Sequence, residues 1–188
     1  MRFSEIGLEQ KEIHMQRVGE FEKVSYDQFY KDMKDEFYSV VYNEEFVKEK
    51  VDAAYSAVAV PKRATSGSAG YDLIAPFDIY LAPGESVKIP TGIRVLIECG
   101  WFLMCVPRSG LGFKYQVRMA NTCGIIDEDY SHSDNEGHIF CKLVNGGSRM
   151  VTIKTGEAFA QAIFIPYGIT YVDDVKNVRN GGLGSTNS

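Results

Sequence analysis

The spacing of apolar residues changes near Pro61, and this change divides the chain into two parts. Before Pro61, Ser25 opens a Ser-x-x-Gln pattern typical of a capping box, and apolar residues then recur at helical spacing. The stripe predicts an amphipathic helix, and a second stripe predicts another helix from Asn43. The stripes consist of Tyr26, Phe29, Tyr30, Met33 and Phe37, and then of Phe46, Val47, Val51, Ala54 and Tyr55. Residues 1–24 have weak periodicity, which leaves a short strand, a helix or a loop open there.

After Pro61, apolar residues alternate or form short continuous runs between turn residues, which is typical of strands. The predicted strands are Tyr71–Ile74, Phe77–Leu81, Ser86–Ile89, Gly92–Ile97, Trp101–Val106, Tyr115–Ala120, His138–Val144, Val151–Lys154 and Phe159–Pro166. Many short strands predict an all-β barrel or sandwich, and the lack of helical spacing between them disfavours a parallel α/β sheet. We therefore expect a helical N-terminal extension (1–60), a β-barrel (61–178) and a flexible Gly-rich tail (179–188).

Composition narrows the functional class. The 188 residues are 45% hydrophobic, enough for one sizeable domain with an appendage. No apolar run has the length of a membrane span, and the first residues lack the apolar core of a signal peptide. The four cysteines have no Cys-x-x-Cys spacing, which disfavours structural zinc and disulfides and predicts a cytoplasmic location. The net charge of −5 argues against nucleic-acid binding through a broad basic face.

The stretch Asn121–Tyr130 carries the strongest candidate chemistry, because an apolar run there is followed by Asp127 and, three residues on, by Tyr130. A carboxylate held by rigid backbone at the edge of a core can orient a water molecule. The alternative is an ordinary turn acid after a strand, and the stretch alone leaves both interpretations open.

Further polar patterns occur around this stretch. Pro107–Lys114 is a Gly-rich segment after a strand, where Arg108, Ser109 and Gly110 suggest a turn whose backbone N–H groups bind an anion. Gln161 stands in an apolar strand, and its amide needs either core partners or a ligand. The tail combines Arg179 with Gly184, Ser185 and Thr186, residue types that suit phosphate binding.

Taken in order, five segments resemble the five motifs of the trimeric dUTP pyrophosphatase (dUTPase) family. The segments are Ala69–Leu73, Pro107–Lys114, Asn121–Tyr130, Gly156–Gln161 and Arg179–Thr186, and the resemblance covers about residues 61–188. It implies a jelly-roll-like β-barrel, hydrolysis of dUTP to dUMP and pyrophosphate, and a homotrimer with the tail as a lid over the site. The sibling family, dCTP deaminase, is disfavoured because its catalytic Glu would fall near Lys142.

The resemblance also implies a role for each residue. Asp127 would deprotonate the water that attacks the α-phosphorus, and Tyr130 would pack against the deoxyribose. The residues expected to bind substrate are Arg108, Ser109, Gly110, Asn121, Gly124, Ile126, Tyr130, Gln161, Arg179, Leu183, Gly184, Ser185 and Thr186. Within this set, Asn121 and the turn Gly124–Ile126 would bind the uracil edge. Mg²⁺ would be held mainly by the phosphates and water rather than by protein groups.

Several features depart from the family pattern or lie outside it. An insert, Ser131–Glu136, follows Tyr130, and Leu183 stands where many members have Phe over the uracil. Asp72 is either a supporting residue behind the site or a turn acid at a strand end. Packing is the default explanation of the apolar stripes in residues 1–60, and a protein-binding arm is the alternative. A non-catalytic regulator built on the same barrel is the alternative from another functional class.

Overall fold

The computed structural model describes residues 15–41, 43–177 and 179. Two helices precede the barrel, α1 (Tyr26–Phe37) and α2 (Glu44–Ala57). The Ser25 hydroxyl accepts a hydrogen bond from the Gln28 N–H at 3.1 Å, and the Asn43 side chain accepts one from the Phe46 N–H at the same distance. These bonds satisfy amides that the first helical turns leave without partners. Both predicted helix starts are confirmed.

The remainder is mainly antiparallel sheet, and the predicted all-β class with a helical extension is confirmed. The strands are β1 (Gly19–Lys23), β2 (Lys62–Arg63), β3 (Tyr71–Ile74), β4 (Ile79–Leu81), β5 (Ser86–Pro90), β6 (Ile93–Ile97), β7 (Trp101–Pro107), β8 (Val117–Met119), β9 (Gly124–Ile126), β10 (Phe140–Asn145), β11 (Val151–Ile153) and β12 (Ala158–Pro166). A helix, α3 (Ser109–Tyr115), and a 3₁₀ turn (Glu128–His132) interrupt them. The largest sheet has the order β2-β3-β12-β7-β9, and a second has the order β5-β10-β8.

The extension contains a strand besides its two helices, and a strand is one of the alternatives that the sequence leaves open for residues 1–24. Strand β1 pairs with β6 along its whole length, from Gly19 opposite Ile97 to Lys23 opposite Ile93. The two strands form a two-stranded sheet, and this ladder satisfies backbone groups of β1 through a strand of the main domain. The N-terminal region therefore contributes a strand to the β structure as well as two helices.

The helices bury their stripes against each other and against the barrel. Phe29 and Met33 of α1 and Val51 of α2 are buried in the same core as strand residues such as Leu73 and Ile93. Gly92 has φ +73°, and a Cβ there would lie 2.5 Å from a Val58 methyl, so glycine permits close contact between the extension and the barrel. The division into domains at residue 60 stays a prediction.

Most of the segment Pro107–Lys114, from Ser109 onward, lies in α3 rather than in the expected Gly-rich turn. The Arg108 carbonyl accepts hydrogen bonds from the N–H groups of Leu111 and Gly112, which starts the helix. The glycines lower the helix propensity of this segment, so the sequence did not indicate a helix there. The tertiary context overrides this low propensity. The helix ends at Gln116 with φ 57°, and the strand predicted from Tyr115 therefore begins only at Val117. In the described part of the chain, no helix has the length and apolarity needed to span a membrane.

Candidate active site

A pocket of about 380 Å³ lies beside β9, at one edge of the largest sheet. Residues from several segments line it, namely Asn121, Ile125, Ile126, Asp127, Tyr130, Phe140 and Arg179. Strand β9 is held in place by its antiparallel ladder with β7, which pairs Gly124 with Cys105 and Ile126 with Leu103. The sheet thus provides a rigid support for the residues that follow β9.

Asn121 reaches the pocket from the tight connection between β8 and β9. The Thr122 N–H donates to the Met119 carbonyl at 3.2 Å, and Thr122 has φ 70°. The segment Gly124–Ile126 is the strand β9, because it pairs with β7. Gly124 does not line the pocket; a Cβ there would lie 3.2 Å from the Cys105 Cβ, so its glycine allows the two strands to approach.

Asp127 caps the 3₁₀ turn and projects its carboxylate at the mouth of the pocket. Its carbonyl accepts the Tyr130 N–H at 3.1 Å, which fixes the backbone between the two residues. The Asp127 side chain is 49% exposed. A half-exposed carboxylate on rigid backbone has access to a water molecule and to a ligand at the same time.

Tyr130 forms a nearly buried wall of the pocket, with 6% of its surface exposed. Its hydroxyl donates to the His138 carbonyl at 3.0 Å and accepts from the Asn135 Nδ2 at 3.0 Å. Burial raises the pKa of Tyr130, so the side chain stays a neutral phenol near pH 7. The phenol end is therefore anchored, and the ring is the part of the side chain that the pocket presents.

Arg179, expected on the phosphates of a ligand, contacts two carboxylates of its own chain. Its Nη2 forms a short hydrogen bond with Asp127 Oδ2, and its Nε lies 2.7 Å from Asp129 Oδ1. The guanidinium also lies 5.8 Å from the centre of the Tyr130 ring. Burial opposes its charge, yet the hydrogen bond to Asp129 and the charges of both carboxylates raise the pKa of Arg179 above its ordinary value.

A second group of predicted residues does not line this pocket. Arg108 Nη1 forms an ion pair with Asp72 Oδ2 at 2.6 Å, and Asp72 stands opposite Gln161 in the sheet, within β3 rather than at a turn. A Cβ on Gly70 would lie 2.9 Å from Gln161 Oε1, so a glycine there leaves room for the amide. Ser109 and Gly110 are exposed in the first turn of α3. None of these residues lines the pocket of the same chain.

The other predicted tail residues, Leu183, Gly184, Ser185 and Thr186, lie outside the described residues. The pocket also contains residues that the sequence did not single out, Ile125 and Phe140, while Asp129 holds Arg179 from beside it. The run Asp127-Glu128-Asp129 was a usable signal, because three consecutive acids call for a cationic partner nearby. His132 is exposed and His138 is fully buried.

Comparisons with known proteins agree with the geometry. The dUTPase family model matches residues 56–188. Relatives include the deoxyuridine 5'-triphosphate nucleotidohydrolases of Lactococcus lactis, 38% identical over 70% of this chain and 89% of the relative, and of Shigella sonnei, 43% identical over 66% and 85%.

Solved structures give the same result for the fold. The dUTPase of Streptococcus mutans matches with a TM-score of 0.55 and 33% identity, over 61% of this chain and 90% of that one. A dUTPase from phage phi11 of Staphylococcus aureus, described as showing the coordination of a structural Mg(II) ion, matches at 0.54 and 20% identity over 64% and 92%. At that lower identity the likeness concerns the fold alone.

Proposed function

The chain belongs to the dUTPase family and hydrolyses dUTP, and we propose that Asp127 activates the attacking water. The observation that carries this proposal is the half-exposed Asp127 carboxylate at the mouth of the pocket. A carboxylate in that place accepts a proton from a water molecule directed at the α-phosphorus, and pyrophosphate leaves on the opposite side.

Two other pocket residues suit recognition of the nucleoside. Asn121 offers both a donor and an acceptor, which complement the uracil edge, and a mismatched base leaves these groups unpaired. The anchored ring of Tyr130 provides a flat, apolar surface for the deoxyribose, where a 2′-hydroxyl finds no room. The backbone of β9, ending at Ile126, completes the base site.

We assign the phosphates to Arg108, Ser109, Gly110 and Gln161, with Asp72 orienting Arg108 from behind. These residues do not line the pocket of their own chain, which supports a homotrimer. In such a trimer, the phosphate-binding residues of one copy complete the pocket of another. The tail, including Leu183–Thr186, would then close over the ligand as a lid.

Arg179 has to move for this reaction to proceed. In the contact with Arg179, a lone pair of the Asp127 carboxylate accepts a hydrogen bond from the guanidinium. The positive guanidinium also neutralises the negative charge of the carboxylate. The phosphates of dUTP offer the guanidinium a stronger anionic partner than two half-exposed carboxylates. We propose that substrate binding draws Arg179 from Asp127 to the phosphates, which frees the base as the lid closes.

Mg²⁺ fits this arrangement as an ion carried by the substrate. Within residues 15–41, 43–177 and 179, no group of three or more His, Cys, Asp or Glu side chains is placed to hold a metal. The ion would therefore be held by the oxygens of the substrate phosphates and of water, and Mg²⁺ prefers oxygen ligands. When bound, it supplies charge neutralisation on the phosphates.

A cytoplasmic location is also proposed, supported by four cysteines that are all free thiols.

Replacing Asp127 by Asn tests the role of the base. Asp127→Asn keeps the shape of the side chain but removes its basicity, so we expect kcat to fall by about 10²- to 10⁴-fold. Binding of a non-hydrolysable dUTP analogue, measured by titration calorimetry, should persist. Asp129→Asn is the matched control, because it makes the same charge change beside the same arginine and should keep most turnover. Turnover of Asp127→Asn near the wild-type rate would refute the assignment.

A further inference from the structure

Helix α1, although it lies outside the pocket, is connected to the wall that the sugar contacts. The connection passes through the insert Ser131–Glu136 and the residues just after it. Asn135 and the His138 carbonyl hold the Tyr130 hydroxyl from two sides, each at 3.0 Å. The position of the Tyr130 ring therefore depends on what holds Asn135 and His138.

The His138 side chain is held by α1. Its imidazole is fully buried, and its Nε2 accepts the Gly92 N–H at 2.8 Å. An acceptor nitrogen carries no proton, so the proton of the neutral ring lies on Nδ1. That proton is donated to Asp32 Oδ2 at 2.5 Å, and the Gln28 side chain donates to the same oxygen at 2.8 Å. Asp32 thus fixes both the tautomer and the ring plane of His138.

A second link joins the start of α1 to the end of the insert. Glu136 accepts hydrogen bonds from the Ser25 N–H at 2.8 Å and from its hydroxyl at 2.6 Å. The backbone here is tightly folded, because Glu136 has φ 58° and a Cβ on Gly137 would lie 2.6 Å from the Ser131 Cα. The insert is consequently clamped between α1 and the Tyr130 side chain.

We propose that α1 is a positioning element for substrate selection, in which Asp32 and His138 keep the Tyr130 ring against the deoxyribose. This inference rests on the sugar-contacting role proposed for Tyr130. To exclude a hydroxyl, the Tyr130 ring must keep its position to within much less than the size of an oxygen atom. A displacement of about 1 Å can change a rate by up to about 100-fold. Loosening the wall admits the 2′-hydroxyl of UTP and weakens contact with dUTP.

The test is the ratio of kcat/KM for dUTP to kcat/KM for UTP. Because both values come from one sample, the fraction of folded protein cancels, and a purely structural role for Asp32 leaves the ratio unchanged. We expect Asp32→Ala to lower the ratio at least about tenfold. Asp32→Asn, whose amide oxygen still accepts the Nδ1 proton, should restore most of it. Asp35→Ala, an exposed position on the same helix, is the control and should keep the wild-type ratio.

Two further variants make the outcome decisive. Asn135→Ala removes a partner of the Tyr130 hydroxyl without touching α1, and it serves if Asp32→Ala fails to fold; a lowered ratio supports the proposal and a wild-type ratio overturns it. Tyr130→Ala examines the underlying role. If Tyr130→Ala lowers the ratio and Asp32→Ala does not, the positioning role is wrong while the sugar contact stands. If Tyr130→Ala leaves the ratio unchanged, the sugar contact itself is wrong.

Discussion

Truncating Phe29 to Ala tests whether the N-terminal extension and the barrel unfold as one unit. Phe29 is fully buried. Its ring centre lies 5.5 Å from that of Tyr55 in α2 and 6.0 Å from that of His138 in the barrel. The substitution removes a ring packed between both parts and leaves a cavity. Buried Phe→Ala changes cost about 3–5 kcal/mol, and the contacts on two sides leave little scope for collapse.

The assay is urea denaturation at a fixed protomer concentration, followed by two probes. Far-ultraviolet circular dichroism reports the helices, and the fluorescence of Trp101, the only tryptophan, reports β7 in the barrel. With an m-value of about 2 kcal/mol/M, a loss of about 3–5 kcal/mol lowers the midpoint by about 1.5–2.5 M. Both probes should shift together.

Phe46→Ala on α2 is the matched control, because that ring is 42% exposed and its loss should change stability by no more than about 0.5 kcal/mol. A shifted helical signal in Phe29→Ala together with an unchanged Trp101 transition would contradict unfolding as one unit. That result would make residues 15–58 a separately folding unit, in spite of the ladder between β1 and β6.

Other predictions concern the tail, a backbone position and pH. Deleting Arg179–Ser188 should leave the urea midpoint unchanged and remove most dUTP turnover in a pyrophosphate-release assay; full activity would contradict the lid. Gly92→Ala should lower the free energy of unfolding by about 2–3 kcal/mol, because φ is +73° and the new methyl meets Val58. Burial disfavours the Glu136 carboxylate, yet the Ser25 hydrogen bonds lower its pKa overall. Its contribution is therefore present above the unfolded pKa and lost as pH falls through the folded pKa, so the stability gap between wild type and Glu136→Gln should close below about pH 4 in denaturation curves.

Much of the local structure follows from the sequence because its causes are local. The caps at Ser25 and Asn43 act within three residues, and the two-residue alternation after Pro61 reflects which side of a strand meets the core. The spacing of Asp127 and Tyr130 likewise belongs to one 3₁₀ turn, whose first backbone hydrogen bond joins the two residues. Helix α3 is the exception, since two glycines and a preceding strand predicted a turn there.

The contacts that define the site join residues far apart in the chain, and only the tertiary structure decides them. Arg179 meets Asp127 across 52 positions, and His138 meets Asp32 across 106. Periodicity carries no information about such pairs, because which groups come together depends on how the sheets and helices pack and on which charges that packing desolvates. The sequence by itself determined the two helix caps, most of the strands, and the short spacing that places Tyr130 one turn after Asp127. The structure alone decided that Arg179 lies against Asp127 and that Asp32 of α1 meets His138 next to Tyr130.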